Sequence, residues 1–312
     1  MSELRWHPLL EQWVVVASHR QDRPQMPADW CPFCPGAGNV PPDYDVLLYP
    51  NDFPAFDLES APFVDDRDLF GTTGARGTCD VILYSPRHTL PPSQLTAAQW
   101  LKVIQLWSSR SAELGKLPDI QYIMPFENTG EAIGVTMPHP HGQMYAFPFL
   151  PPLAQQELDS SRKYFDKKGE CLYCALLAGE LEQQVRLVTE NGSFVAFVPF
   201  AARFPSEIQL YPRRHFGSLP ELTGNEAADL ADILSTIRKK YDNLYGFLLP
   251  LMMAVRLAPA KGEHPYFHFH IEFLPIQRSA KKLKYLAAVE SAAGTYLADT
   301  KAEERAAELR KK

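Results

Sequence analysis

Hydrophobic and polar positions along the chain follow two rhythms. Short runs rich in β-branched and aromatic residues, bounded by proline or glycine, predict strands at 13–17, 80–84, 120–124, 194–198 and 267–273. Two stretches with helical spacing each begin with a capping-box pattern, a hydroxyl followed three residues later by Gln or Glu: Thr96/Gln99 and Thr223/Glu226. Leu101, Ile104 and Trp107 give the first helix an apolar stripe, and Ala227, Leu230, Leu234 and Ile237 do so for the second. From Thr300 the charged run 301–310 predicts a solvated terminal helix.

The order of landmarks repeats. Cys31-x-x-Cys34, a strand ending in Leu83-Tyr84-Ser85-Pro86-Arg87-His88, the capped helix, a strand and His139-Pro140-His141 are followed by a second set. That set is Cys171-x-x-Cys174, Leu210-Tyr211-Pro212-Arg213-Arg214-His215, the second capped helix and His268-Phe269-His270. The single histidine precedes the His-x-His by 51 residues in one case and 53 in the other. Four landmarks in the same order twice predict an α+β protein built by duplication, each half an antiparallel sheet with a long helix packed on it. The halves are 1–158 and 159–312, joined near residues 155–165.

Composition narrows the class. Of 312 residues 46% are hydrophobic and 22% charged, ordinary for a globular chain. The net charge of −6 disfavours non-specific binding to nucleic acid or anionic lipid, which carry the same sign. The longest apolar stretch, Phe247 to Val255, contains Pro250 and is far shorter than the ~20 residues of a membrane helix. The first residues carry no secretory pattern, so the expectation is a soluble cytoplasmic protein with no membrane or nucleic-acid partner.

Five cysteines sharpen the reading. Four form two Cys-x-x-Cys pairs, which in a reducing compartment read as metal ligands or a redox pair. Pro32 and Pro35 around the first pair suit a loop rather than a thioredoxin-like unit. Each half therefore offers two cysteines and at least two histidines, a tetrahedral complement suited to zinc with no coordination position left for substrate. Cys79 reads as a small core residue. His264 and His270 receive no role.

His139-Pro140-His141-Gly142-Gln143 is the most specific segment. In an extended chain residues two apart project to one side, so both imidazoles and Gln143 can face one pocket, with Gly142 leaving room for a ligand to approach the backbone. If a metal takes His139, His141 is the imidazole left for chemistry, and a neutral imidazole is a competent nucleophile toward phosphorus. Gln143 donates a hydrogen bond but supplies no proton, which suits a phosphoryl oxygen. On the residues alone, a metal-binding histidine pair with a structural glycine stands equally well.

This motif, preceded by Phe126-Glu127-Asn128-Thr129-Gly130, resembles the active-site signature of the galactose-1-phosphate uridylyltransferase family in the histidine-triad superfamily. The resemblance extends to 18–24, Cys31-Pro32-Phe33-Cys34, Asn51-Asp52-Phe53, 75–78 continuing to His88, and Arg278-Ser279-Ala280 with Lys284, Tyr285 and Glu290. It implies ping-pong transfer: His141 takes the uridylyl group from UDP-glucose, and galactose 1-phosphate removes it as UDP-galactose, with Gln143 holding the phosphoryl group. The hydrolase branch has a third histidine at the position of Gln143. By the same resemblance Asn128, Gly134, Val135 and Thr136 lie near the phosphates, Arg20, Arg23, Asn51 and Asp52 contact nucleotide or phosphate, and Lys284, Tyr285 and Glu290 close over the nucleotide-sugar.

The resemblance also implies two zinc ions per chain, one on Cys31, Cys34, His88 and His139. The other lies on Cys171, Cys174, His215 and His268, as in a branch resembling plant ADP-glucose phosphorylase. Another branch uses a Glu and three His, matching Glu157, His268 and His270, but here Arg256 stands where the remaining histidine would be needed. Homodimers with active sites between subunits are implied as well. The alternatives are an ADP-sugar phosphorylase or other nucleotidyltransferase using the same histidine, and a non-catalytic zinc-stabilised nucleotide-binding module.

Overall fold

The computed structural model describes residues 2–22 and 30–312, so Arg23 lies outside the described residues. Strands β1 (Glu3–His7), β2 (Gln12–Val16) and β4 (Thr72–Gly74) form a small sheet in the order β2-β1-β4. The first half gives the main sheet β3 (Leu47–Pro50), β5 (Thr78–Leu83), β6 (Tyr122–Thr129) and β7 (His141–Phe147). The second half gives β8 (Leu187–Glu190), β9 (Phe194–Phe197), β10 (Ile208–Pro212), β11 (Leu251–Arg256) and β12 (His270–Pro275). A hairpin of β13 (Gln277–Ser279) and β14 (Lys282–Leu283) follows.

The halves do not keep separate sheets. One antiparallel sheet runs β3-β5-β7-β6-β11-β12-β10-β9-β8, joined where Thr129 faces Leu251 and Phe126 faces Ala254. Unpaired, β6 and β11 would each leave a row of open backbone donors and acceptors; pairing them removes two edges at once. The repeat is visible in the order, with β7 and β12 each second from the junction and each beginning at the last histidine of its half's His-x-His.

Helices α1 (Ala97–Gly115) and α4 (Gly224–Tyr245) lie on one face of this sheet and share a single apolar core. Thr96 caps α1 by accepting from Gln99 N, but the Gln99 amide turns to the carbonyls of Tyr84 and Asp45, so only half of the capping box forms. Thr223 and Glu226 complete theirs on α4. The α1 stripe runs through Trp100, Val103, Ile104, Trp107 and Leu114, with Leu101 only partly buried.

Two elements carry little hydrophobic signal in the sequence. The stretch 155–165, where the halves join, lies in a helix, α2 (Pro152–Lys168), followed by α3 (Leu172–Gln183). Only Ala154, Leu158 and Ser161 of α2 are buried, too narrow a stripe to stand out from its charged surface. After a short α5 (Ala288–Ser291), the terminal helix α6 (Ala302–Arg310) is not wholly solvated, because Ala302, Ala306 and Leu309 enter the common core and Arg305 is buried beside them. Small alanines at those positions give little hydrophobic signal yet allow close approach to α4 and β8.

Candidate functional site

On the opposite face from α1 and α4, the loop carrying Cys31 and Cys34 folds over the ends of β5 and β7. Cys31 Sγ lies 3.7 Å from His139 Nδ1, and Cys34 Sγ lies 3.5 Å from His88 Nδ1 and 3.9 Å from His139 Nδ1. Around a tetrahedral ion, bonds of ~2.3 Å to sulfur and ~2.0–2.1 Å to nitrogen put S and N about 3.6 Å apart, so this donor set fits zinc. The outer partners fix the ligands: His139 Nε2 donates to Ser85 O at 2.7 Å, turning the Nδ1 lone pair toward the sulfurs. Tyr44 Oη sits 2.9 Å from that Nε2 and 2.9 Å from Phe33 O.

Burial holds His139 down to about 4, so it is neutral and ready to ligate near pH 7. Burial also pushes the Cys31 thiol up to about 11, so a pair of thiolates here requires a cation between them. Tyr44, pushed above its ordinary range by burial and then by the two cysteines, stays a neutral phenol. Nothing in its sequence neighbourhood marks it, since its role arises only when 41–45 folds back over the cysteine loop.

Beside this group a cleft of about 340 Å³ opens, lined by His141, Gln143, Thr136, Asn51, Asp52 and the aromatic rings of Trp30, Phe33, Tyr49 and Phe53. Phe33, between the two cysteines, packs 5.3 Å from the His141 ring and 5.7 Å from Tyr49. The His141 Nδ1–H donates to His139 O at 2.7 Å. A carbonyl can only accept, so this bond places the proton on Nδ1 and the ring's lone pair on Nε2. Asn51 Oδ1 caps the turn by accepting from Phe53 N, and Asp52 accepts from the Tyr49 hydroxyl at 3.1 Å. Among the expected residues, His141, Gln143, Asn51, Asp52 and Thr136 therefore share one cleft. The aromatic lining escapes the sequence reading, although the Cys-Pro-Phe-Cys spacing marks Phe33.

Other expected residues stand elsewhere. Arg20 does not line the cleft; Nη1 holds Phe53 O at 2.8 Å and so braces the Asn51–Phe53 turn from behind. Asn128 lies on β6, and Gly134 and Val135 lie on the turn before Thr136. Lys284 and Glu290 form a buried ion pair of 2.8 Å within their own segment, while Tyr285 is 74% exposed, away from this cleft.

Gly142 requires a correction. Its open side faces the helices and not a ligand: a Cβ there would overlap Tyr84 Oη and lie 3.0 Å from Phe126 O. The sequence repeat misleads at this point. It aligns Leu83-Tyr84 with Leu210-Tyr211, but Leu83 pairs with His141 whereas Leu210 pairs with Ile271. One residue of slip sends Tyr84 into the helix-side core and Tyr211 to the opposite face.

The second half repeats the metal geometry. Cys174 Sγ lies 3.4 Å from both His215 Nδ1 and His268 Nδ1, Cys171 completes the group, and His268 Nε2 lies 3.1 Å from Pro212 O as His139 does from Ser85 O. Cys171 is drawn down, first by its hydrogen bond with Cys174 and then by His215 and His268, while sharing with Cys171 pushes Cys174 up; the pair holds one negative charge beside a raised His215.

Glu157, His270 and Glu272 also converge, with ligand atoms within 4.8 Å of one another. There Arg256 Nε and Nη2 hold Glu272 Oε2 at 2.9 and 2.7 Å, and Arg203 holds Oε1 at 2.6 Å. With both carboxylate oxygens taken and two guanidinium charges in place, this donor set does not fit a resident dication.

Family models match both halves: "Galactose-1-phosphate uridyl transferase, N-terminal domain" over residues 1–151 and the C-terminal domain of the same name over 157–311. The galactose-1-phosphate uridylyltransferase of Thermotoga maritima is 36% identical over 314 residues, covering 99% of this chain and 98% of that one. Among solved structures, a uridylyltransferase superposes with a TM-score of 0.91 at 34% identity, covering 99% of this chain and 97% of its own. An ADP-glucose phosphorylase from Arabidopsis thaliana superposes with 0.78 at 25% identity, covering 100% and 99%. Among the described residues no helix is long and apolar enough to cross a membrane.

Proposed function

Because the chain belongs to the galactose-1-phosphate uridylyltransferase family and is a transferase of UMP in galactose metabolism, we propose that the transfer runs through a uridylyl group on His141. His141 Nε2 attacks the α-phosphorus of UDP-glucose. The N–P bond forms as the bond from that phosphorus to the bridging oxygen breaks, and the electron pair leaves with glucose 1-phosphate. A phosphate oxygen of galactose 1-phosphate then attacks the same phosphorus, the N–P bond breaks, and UDP-galactose departs. One nucleophile serving both half-reactions turns a three-body exchange into two ordered displacements.

The observation that carries this reading is the bond from His141 Nδ1–H to His139 O, which directs the ring's lone pair from Nε2 in a residue lining the cleft. Gln143, on the same face, donates its amide to a phosphoryl oxygen, while Asp52 and Asn51 take the nucleoside. We assign zinc to both Cys₂His₂ groups, where it ties distant segments together and leaves no position for substrate. A homodimer is supported by the exposed apolar run at Tyr285, Leu286 and Val289, a surface that a second copy could cover.

Mass spectrometry after incubation with UDP-glucose is expected to show one UMP on His141, and ADP-glucose to leave none. Label from ADP-glucose alone would favour an ADP-sugar phosphorylase. Replacing Gln143 by histidine is expected to raise hydrolysis of the labelled enzyme at least tenfold, because a neutral imidazole can take the proton of the attacking water, which an amide cannot. An unchanged hydrolysis rate would remove Gln143 as the group that separates transfer from hydrolysis.

A further inference from the structure

The strands that carry the site have a second face. On β7, His141 and Gln143 point into the cleft, so Gly142 points toward α1 and α4. On β6, Asn128 lies between Glu127 and Thr129, both turned to that inner face and buried to 1% and 5% exposure. Arg238, from α4 in the other half and itself 1% exposed, places Nη2 3.1 Å from Glu127 Oε1 and donates to Thr129 Oγ1 at 2.9 Å. The Thr129 hydroxyl donates in turn to Glu127. Tyr84, fully buried, fills the space that Gly142 leaves.

We propose that Tyr84, Glu127 and Arg238 are positioning residues: a back-plate that sets the direction of His141 and Gln143, and the placement of Asn128 on the neighbouring strand, from the far side of the sheet. The proposal rests on the reading of His141 as the nucleophile. Each member touches a residue adjacent in sequence to a site residue and on the opposite face, so a shift of the back-plate tilts the cleft face directly.

The chemistry of the set argues against simple core filling. Glu127 Oε2 and Arg238 Nη1 are both buried with no hydrogen-bond partner, and the buried Tyr84 hydroxyl lies beside the Glu127 carboxylate. Apolar side chains of similar volume would fill such a space at no loss of stability. A guanidinium and a carboxylate instead accept only one relative placement of α4 and β6, and the phenol accepts only a glycine at 142. Burial and the Glu127 charge hold the Tyr84 phenol neutral, so the hydroxyl stays bulky and uncharged. Through Arg238 the second half thus acts on the chemistry of the first without meeting substrate.

Tyr84→Phe, Glu127→Gln, Arg238→Met and Arg238→Lys in the full chain separate this role from stability. Tyr84→Phe removes one hydroxyl and keeps the ring that fills the core, so its thermal midpoint is expected to stay within a few degrees of the parent's. Its kcat is nevertheless expected to fall about tenfold with KM within about threefold, the signature of misdirected reacting groups. Arg238→Lys is expected to recover part of the kcat that Arg238→Met loses. The proposal is overturned if Tyr84→Phe keeps kcat within twofold, or if losses in the others follow only their unfolded fraction. A parent chain that forms no uridylyl-histidine removes the His141 reading and this one with it. A parent that forms it while every variant keeps its rate overturns only the back-plate.

Discussion

His141→Asn is expected to abolish UMP transfer, lowering kcat by roughly 10⁴–10⁶, the range seen when a covalent nucleophile is deleted from an enzyme whose other groups remain. The size follows from what else the cleft contains. Gln143 and Thr136 can orient a phosphate but are poor nucleophiles, and Asp52 is already engaged by the Tyr49 hydroxyl. Asparagine keeps a short polar side chain against Phe33, so the shape of the cleft changes little. Binding of UDP-glucose, measured by calorimetry, is therefore expected to stay within about tenfold of the parent, and metal content to be unchanged. Transfer at more than a tenth of the parent rate, or a UMP label that persists in the variant, would show that another residue carries the group.

Much of this site is legible in the chain because its parts are short-range. His139-Pro140-His141-Gly142-Gln143 places three side chains on one face by strand alternation, and β7 puts His141 and Gln143 there. The Cys-x-x-Cys pairs and single histidines meet in space in both halves, although the first pair sits in a loop and the second at the start of α3. What the chain conceals depends on register and on faces. The direction of Gly142 follows from Leu83 pairing with His141, a fact about two strands that neither one states alone. The fusion at β6 and β11 depends on residues 122 apart in the chain, Thr129 and Leu251, and the polar helix α2 at the join has too thin a buried stripe to show a period. Tyr44 and Arg238 work through contacts 95 and 109 residues away.

Loss of the first metal group is expected to cost both stability and turnover, and loss of the second only stability. Cys34→Ser removes a donor shared between His88 and His139. The apparent binding energy of a structural zinc reaches ~10 kcal/mol where the metal-free chain is unfolded. The large common core here keeps the loss below that, at several kcal/mol, seen as a fall in thermal midpoint and one fewer zinc per chain. Activity is expected to fall too, although four protein ligands would leave a bound metal no position for substrate, because Phe33 sits in the same loop and packs against His141. With the loop released, His139 also loses its orientation, and His139 O holds the proton of His141 Nδ1. A drop in kcat of at least a hundredfold is therefore expected at a temperature where the chain remains folded. Cys174→Ser removes the counterpart beside His215 and His268, none of which lines the cleft, and is expected to lower the midpoint while leaving kcat within about threefold. Acid acts in the same direction as Cys34→Ser. Ligation requires the cysteines as thiolates, so each step down in pH favours their protonation and release of the ion. His139, neutral down to about 4, adds little to this dependence until that range is reached. Equal losses of kcat in the two variants would mean that the metals act only on the stability of the whole sheet, and that the path from Cys34 through Phe33 to His141 has no part in turnover.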